Sequence, residues 1–478
     1  MHAHLTPINS SNAPIPTGSS SGPDDGACPT RPTLTPTPTR ASAAVSSPAA
    51  AFTSTGRSPI SGAPDVDPAA FDVVPDRRGT SSLKWDFAVE RGRPADVLPL
   101  WVADMDHATA PAVTSALLWR TRHGIFGYSD PDDAYNAALT SWFSRRYGWR
   151  VEAGWNTVTP GVVPALALAV RALSAPGEAV IIEEPVYYPF REVVEDNGRS
   201  VAAVPLVRDA DGVYRRDLAA LEATIEETGS RLLLLCNPHN PVGRVWSRDE
   251  LIALDEVASR HGVVVVADEI HADLALPGFA TTPFASLGEA TAARTITCTS
   301  PSKSFNLAGL QVANILIADA RLREAFRREL ATTGYSQPNV LGLTACRAAY
   351  EGGAAWLDAL REHIAAARAH VEARLERIEG VEAAPCEGTY LLWLDCSGLL
   401  EAAGLDASEL DGVMLRQAGL WLDDGRIFGA GGEGFTRINV ACPRATLDAA
   451  LDRLEAAVAA VTARAERAAH RGRVALSA

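Results

Sequence analysis

Lysine is nearly missing from this chain of 478 residues: Lys84 and Lys303 are its only two, and the other 41 of its 43 Lys and Arg side chains are arginine. The bias says nothing of function by itself, but it draws attention to any position where a guanidinium cannot substitute. Arginine keeps its charge, whereas lysine can shed its proton and act as an amine nucleophile. Positive charge is also in short supply. The formal net charge of −15 argues against nucleic-acid backbones and anionic membrane surfaces as partners. No run offers ~18 consecutive uncharged apolar residues, so no bilayer-spanning helix is expected. The seven cysteines (Cys28, Cys236, Cys298, Cys346, Cys386, Cys396, Cys442) form no Cys-x-x-Cys pair and no Cys/His cluster at zinc spacing. That pattern suits a reducing cytoplasm better than a secreted disulfide scaffold.

What is present is a chain able to bury a core, 47% hydrophobic and 21% charged. At ~100–200 residues per domain its length suggests two or three domains. Residues 1–68 are dominated by Ser, Thr, Pro, Ala and Gly, with no apolar periodicity. They read as a disordered tail, or as the product of a start codon set too far upstream. The segment has neither the basic start nor the apolar run of ~7–15 residues that a secretory signal needs.

From Phe71 the composition is globular. Short apolar runs at Ala179–Ile182, Arg231–Cys236, Val263–Ala267 and Thr295–Thr299 read as parallel strands buried on both faces. Amphipathic stretches at Val163–Leu173 and Leu251–His261 read as helices between them. The alternation predicts an α/β domain with a mainly parallel sheet, over about 111–345. A long helix over Ala354–Leu375, a strand over Tyr390–Leu394 and a last helix over Thr446–Arg467 predict a smaller α+β domain, 346–470, which residues 69–110 join.

Three of the strands end in polar residues: Asn237-Pro238-His239-Asn240-Pro241-Val242-Gly243, Asp268-Glu269-Ile270-His271 and Ser300-Pro301-Ser302-Lys303. Ligands of open α/β sheets bind outside the carboxyl ends of the strands. An amide, a carboxylate and one of only two lysines therefore converge on one crevice. With no metal cluster and no Ser/His elbow, an Asp–Lys pair points to a cofactor bound through an imine. Pyridoxal 5'-phosphate needs that pair: a lysine for the imine and a carboxylate facing the pyridinium nitrogen.

The run from Ser300 to Leu310 (SPSKSFNLAGL) resembles the lysine segment of class I/II aminotransferase-fold enzymes, and Asn237–Gly243 resembles their Asn-Pro-x-Asn-Pro-x-Gly loop. Four further stretches narrow the resemblance: Arg78–Asp86, Trp101–Asp106, Phe126–Ser129 and Phe435–Asn439. Together, in order from about Phe71 to Val458, they resemble the MalY/PatB-type C–S β-lyases, often called cystathionine β-lyases. The resemblance implies the type I fold of pyridoxal-phosphate enzymes and a homodimer with a shared active site.

It also implies roles. Lys303 is the imine lysine and the base for the substrate's Cα proton; the alternative is a surface lysine. Lys84, beside Trp85 and Asp86, reads as an ion-pair or packing residue. Asp268 faces the ring nitrogen, or caps a helix. Asn240 donates to the cofactor's phenolic oxygen, or is a turn residue beside proline. The backbone N–H groups of Val162 and Val163, opening a helix after Gly161, take the phosphate; Ser300 and Ser302 add hydroxyls or are loop filler. Tyr187 stacks on the ring, with adjacent Tyr188 as the alternative. Tyr128 reaches the phosphate of the neighbouring subunit. Arg437 clamps the substrate α-carboxylate.

Two positions depart from the general aminotransferase pattern. Many members carry arginine eight residues after the lysine, where this chain has Gln311, and tyrosine three after the aspartate, where it has His271. Both departures argue against a standard transaminase and not against the cofactor. The reading is a carbon–sulfur β-lyase acting on an amino-acid thioether such as cystathionine. The alternatives are an aminotransferase and a regulatory protein that holds the cofactor without turnover.

Overall fold

The computed structural model describes residues 67–477. The tail read over 1–68 lies outside the described residues except for Asp67 and Pro68, where the Asp67 carboxylate caps a 3-10 turn over Pro68–Asp72.

The main sheet has seven strands: β1 (Asn156–Thr159), β2 (Ala179–Glu184), β3 (Ser200–Pro205), β4 (Leu232–Cys236), β5 (Val264–Asp268), β6 (Thr295–Thr299) and β7 (Ala313–Ile317). Their order is β1-β7-β6-β5-β4-β2-β3. β7 runs antiparallel to both neighbours and the remaining pairs are parallel, so the sheet is mainly parallel as expected.

Alternation along β4 explains its unbroken apolar run. Leu233 and Leu235 pack with Leu251, Leu254 and Val257 of one helix, while Leu232 and Leu234 pack with Leu166 and Ala169 of another. Both faces are covered, and every residue of the strand is buried. The two helices are α1 (Val162–Leu173) and α2 (Arg248–His261). α2 begins a turn earlier than its apolar periodicity indicates. Ser247 and Glu250 form a reciprocal capping box that satisfies its first N–H groups.

After β6 the chain makes a single turn, α3 (Pro301–Ser304), which carries Lys303. Phe305, one turn end later, anchors it. Its ring stacks on Trp356 at 5.8 Å and meets Trp142 at the same distance. Gly353 makes room, since a Cβ there would stand 2.4 Å from the Phe305 ring.

A second sheet joins β8 (Glu382–Ala383), β9 (Leu391–Asp395), β10 (Asp423–Asp424) and β11 (Phe435–Asn439) in the order β8-β9-β11-β10, all antiparallel. Helices α4 (Ala354–Leu375) and α5 (Arg444–Ser477) pack against it, through Leu360, Ile364, Leu447 and Leu451. The last helix extends beyond the expected Thr446–Arg467 at both ends.

Among the described residues no helix is long and apolar enough to cross a membrane, and no cluster of His, Cys, Asp and Glu could hold a metal ion. The six described cysteines are free and buried.

Candidate active site

At the carboxyl ends of β4, β5 and β6 lies a cavity of about 300 Å³, at the lower end of the range for small-molecule sites (~300–1,000 Å³). Parallel pairing puts Cys236, Asp268 and Cys298 side by side at these strand ends. The chain then turns into the crevice from all three. Tyr187, Asn240, Asp268, His271, Ser302 and Lys303 line it together with the start of α1.

Lys303 is half-buried, and its Nζ donates to the carbonyl of Ala103 at 2.7 Å. Burial pushes the amine down to about 8. The nearby Arg437 acts in the same direction, while Asp104 and Asp268 pull the other way. Asp268 ends β5 at 4% exposure. Burial pushes its carboxyl up to about 7, against the Ile270 N–H, which donates to Oδ1 at 3.1 Å, and the field of Lys303. No side-chain cation hydrogen-bonds to this buried carboxylate among the described residues. A cationic ligand nitrogen would complete it.

Asn240 is oriented by its neighbour. Arg437 Nη1 donates to Asn240 Oδ1 at 2.8 Å, which leaves the amide N–H groups as the free donors. At the opposite wall, α1 starts at Gly161 with no side-chain cap. The first helical bond is Ala165 N–H to the Gly161 carbonyl, at 3.3 Å. The N–H groups of Val162 and Val163 thus open the helix toward the cavity, an arrangement that suits an anion. Ser302 adds its hydroxyl to the same lining. Ser300 differs from the expectation. Its Oγ donates to the Val312 carbonyl at 2.6 Å and accepts from Ser302 N–H at 3.0 Å. It therefore serves as the cap of the Lys303 turn and has no spare proton. Gln311, in the left-handed region, also lines the cavity.

Between Tyr187 and Tyr188 the geometry is clear. Tyr187 lines the cavity and its N–H donates to the Asn240 carbonyl at 2.9 Å. Tyr188 turns away to meet Phe428 edge-on, 6.2 Å distant. His271 is buried with Nδ1 unpartnered; burial first, then Lys303 and Arg437, push it down to about 3, so the imidazole is neutral. Tyr128 is not brought to this cavity. It is 93% exposed and lines a separate open groove with Gly334–Leu341.

Arg437 departs furthest from expectation. Its guanidinium lies over the Phe428 ring, at 4.9 Å, and reaches the cavity wall only through Asn240, and it is not free. Nη2 pairs with the Asp423 carboxylate and donates to the Trp101 carbonyl at 3.2 Å.

Sequence reasoning singled out Trp101–Asp106 as a motif but gave no role to the strap that it forms with His107. Its carbonyls are nearly all used: Trp101 by Arg437, Ala103 by Lys303 and Tyr390, Val102 and Asp104 by Asn439, Met105 and His107 by Asn306. Asn306 and Asn439 stood in the quoted motifs, and their amides are the signal that could have pointed to it. Behind the strap, Lys84 has no exposure and its Nζ lies 2.8 Å from Asp106, which Arg77 also reaches at 2.7 Å. Lys84 is a buried ion-pair residue. Asp273, two residues past His271, accepts from Ser304, next to Lys303, at 2.8 Å and from Trp142 at 3.1 Å.

Set against known proteins, the chain matches the family of class I and II aminotransferases over residues 95–454. It is 44% identical over 389 residues to cystathionine β-lyase PatB of Bacillus subtilis, covering 81% of this chain and 99% of that protein. It is 36% identical to protein MalY of Escherichia coli, over 82% of this chain and 99% of the relative. Among solved structures, cystalysin of Treponema denticola, which contains a pyridoxal 5'-phosphate cofactor, superposes with a TM-score of 0.78 at 35% identity. That match covers 82% of this chain and 99% of the other.

Proposed function

The chain belongs to the class I and II aminotransferase family, and from that premise we propose that it is a pyridoxal-phosphate-dependent carbon–sulfur β-lyase. It cleaves cystathionine or another cysteine S-conjugate to pyruvate, ammonia and a thiol. The observation that carries the reading is the half-buried Lys303 amine in one cavity with a buried Asp268 carboxylate that no side-chain cation hydrogen-bonds among the described residues. The names of the relatives above support the choice of carbon–sulfur chemistry within the family.

The donor set fits the cofactor at each end. Val162 and Val163 N–H groups and the Ser302 hydroxyl would hold the phosphate, Asp268 the ring nitrogen, Asn240 the phenolic oxygen, and Tyr187 the ring face. Pyridoxal phosphate, when bound, supplies an electron sink for the charge left at Cα. Everything else falls to the protein. Lys303 takes the Cα proton, and an amine held near 8 is neutral in a useful fraction at neutral pH. Neutral His271 adds bulk without a competing charge. Arg437 binds the α-carboxylate and so fixes which bond faces Lys303. The thiolate then leaves from Cβ.

The reading also takes the enzyme to be a cytoplasmic homodimer in which Tyr128 serves the site of the other subunit. Its exposure on a groove away from the cavity supports that role. The test is incubation of purified enzyme with cystathionine and no 2-oxo acid. Pyruvate and ammonia released in equal amounts over many turnovers support the lyase. Amino groups retained on the cofactor after one turnover support an aminotransferase, and no turnover supports a regulatory protein.

A further inference from the structure

Arg437 and Asp423 stand directly opposite each other on neighbouring strands β11 and β10. A guanidinium grips a carboxylate through two parallel N–H groups, either Nη1 with Nη2 or Nε with Nη2. Both forks use Nη2, and both Nη2 protons are committed, to Asp423 and to the Trp101 carbonyl. Nη1 already serves Asn240, and Nε is buried without a partner. The site therefore already contains a carboxylate where the substrate's carboxylate has to go.

We propose that Asp423 is an internal occupant of the substrate-carboxylate site, displaced from Arg437 when substrate binds and protonated as it leaves. The inference rests on Arg437 being the carboxylate site of the reading above.

Charge balance requires the proton. Arg437 and Asp423 are both buried, with side chains 3% and 8% exposed. With Asp423 still ionised, one guanidinium would face two carboxylates out of water, leaving an uncompensated buried charge. Among the described residues no other group compensates. Tyr187 and Tyr188, which face Asp423 from the segment after β2, are phenols that burial keeps protonated. Arg93, on the N-terminal segment, acts at longer range and is engaged by Asp411 at 2.9 Å. Burial already holds the Asp423 carboxyl above its ordinary value against the pull of Arg437, so losing that pull raises it further.

The frame also decides which partner moves. Arg437 is on an inner strand, between Trp393 of β9 and Asp423, with Phe428 under its guanidinium. Asp423 is on β10, a two-residue strand at the sheet edge. The arginine is fixed on both sides and the aspartate on one.

The test uses holoenzyme and 3-(methylthio)propanoate, a thioether carboxylate with no amino group to react at Lys303. Calorimetric titration in buffers of different ionisation enthalpy counts the protons taken up on binding, at several pH values around neutrality. Wild type is expected to take up close to one proton at the maximum, with Kd weakening by up to ~10-fold per pH unit there. Asp423→Asn is expected to lose that uptake and to bind more tightly at the alkaline end; Asp423→Ser does the same if the asparagine variant does not fold. Three results would overturn the proposal: no uptake by wild type at any pH, uptake retained in the variants, or weaker binding by both variants. Because the ligand is not turned over, the outcome does not depend on lyase activity. If Arg437→Lys leaves the affinity unchanged, the carboxylate site itself is misplaced and the proposal falls with it.

Discussion

Asp268 and Asp423 are both buried aspartates, the first lining the cavity and the second tied to its wall through Arg437 and Asn240, yet their surroundings differ in kind. Asp268 closes a parallel strand of the large sheet, and its one recorded donor is a backbone N–H. Asp423 lies on the small sheet and is paired with a guanidinium. The first carboxylate is left incomplete by the fold, so a ligand must supply its cation. The second is complete without a ligand, so a ligand must compete with it. The cavity is built to receive a cofactor, whereas the ion pair behind Asn240 is built to be opened by substrate.

The largest expected effect lies on the lysine side. Lys303→Ala should lower kcat by at least ~10³-fold, since loss of a general base alone costs ~10²–10⁴ and here the imine route is lost as well. Turnover assays at saturating cofactor measure it. A fall under tenfold would break the division drawn between the cavity and the ion pair behind it.

Asp268 should come next. Its folded-state pKa of about 7 lies above the usual ~3.9 of an unfolded aspartate. The folded chain therefore binds more protons between these values, and the cofactor-free protein loses stability as pH rises through that window. The ceiling is about 4 kcal/mol. Asp268→Asn should flatten this part of the profile, and bound cofactor should flatten it in wild type. Thermal unfolding at a series of pH values checks both. A wild-type difference between pH profiles with and without cofactor that persists unchanged in Asp268→Asn would show that another group carries it.

The smallest of the three concerns Arg437. Arg437→Lys keeps the charge and loses the planar fork, so kcat/KM for an amino-acid thioether should fall at least ~10-fold, about 1.4 kcal/mol. Because the guanidinium also orients the Asn240 amide, cofactor affinity should weaken modestly instead of staying unchanged. Equal losses on a substrate whose carboxylate is replaced by a neutral amide would make Arg437 structural.

The same contrast explains what the sequence could disclose. β4, β5 and β6 announce themselves as short apolar runs because both of their faces are covered, and the polar residues after them are local in sequence. Lys303, Asp268 and Asn240 could therefore be found together, and Val162 and Val163 follow from a helix start after glycine. Asp423 gives no such signal. It stands on a two-residue strand with no periodicity, and its pairing with Arg437 depends on the register of β10 against β11. The role of the strap at 101–107, though most of it stood out as a motif, is hidden for a related reason. What it contributes are backbone carbonyls, which carry no side-chain identity, and their donors lie as far off as Asn439. Ser300 shows the limit from the other side, since a serine at a strand end reads equally well as anion donor or helix cap.

The near-absence of lysine makes the central claim open to a direct chemical decision. Borohydride reduction of the purified protein, followed by proteolysis and mass spectrometry, locates any residue joined to pyridoxal phosphate through an imine, and only Lys84 and Lys303 can offer a side-chain amine. A single cofactor adduct on the Lys303 peptide is the expected result. An adduct on Lys84, or no adduct in protein purified with the cofactor present, would contradict the account.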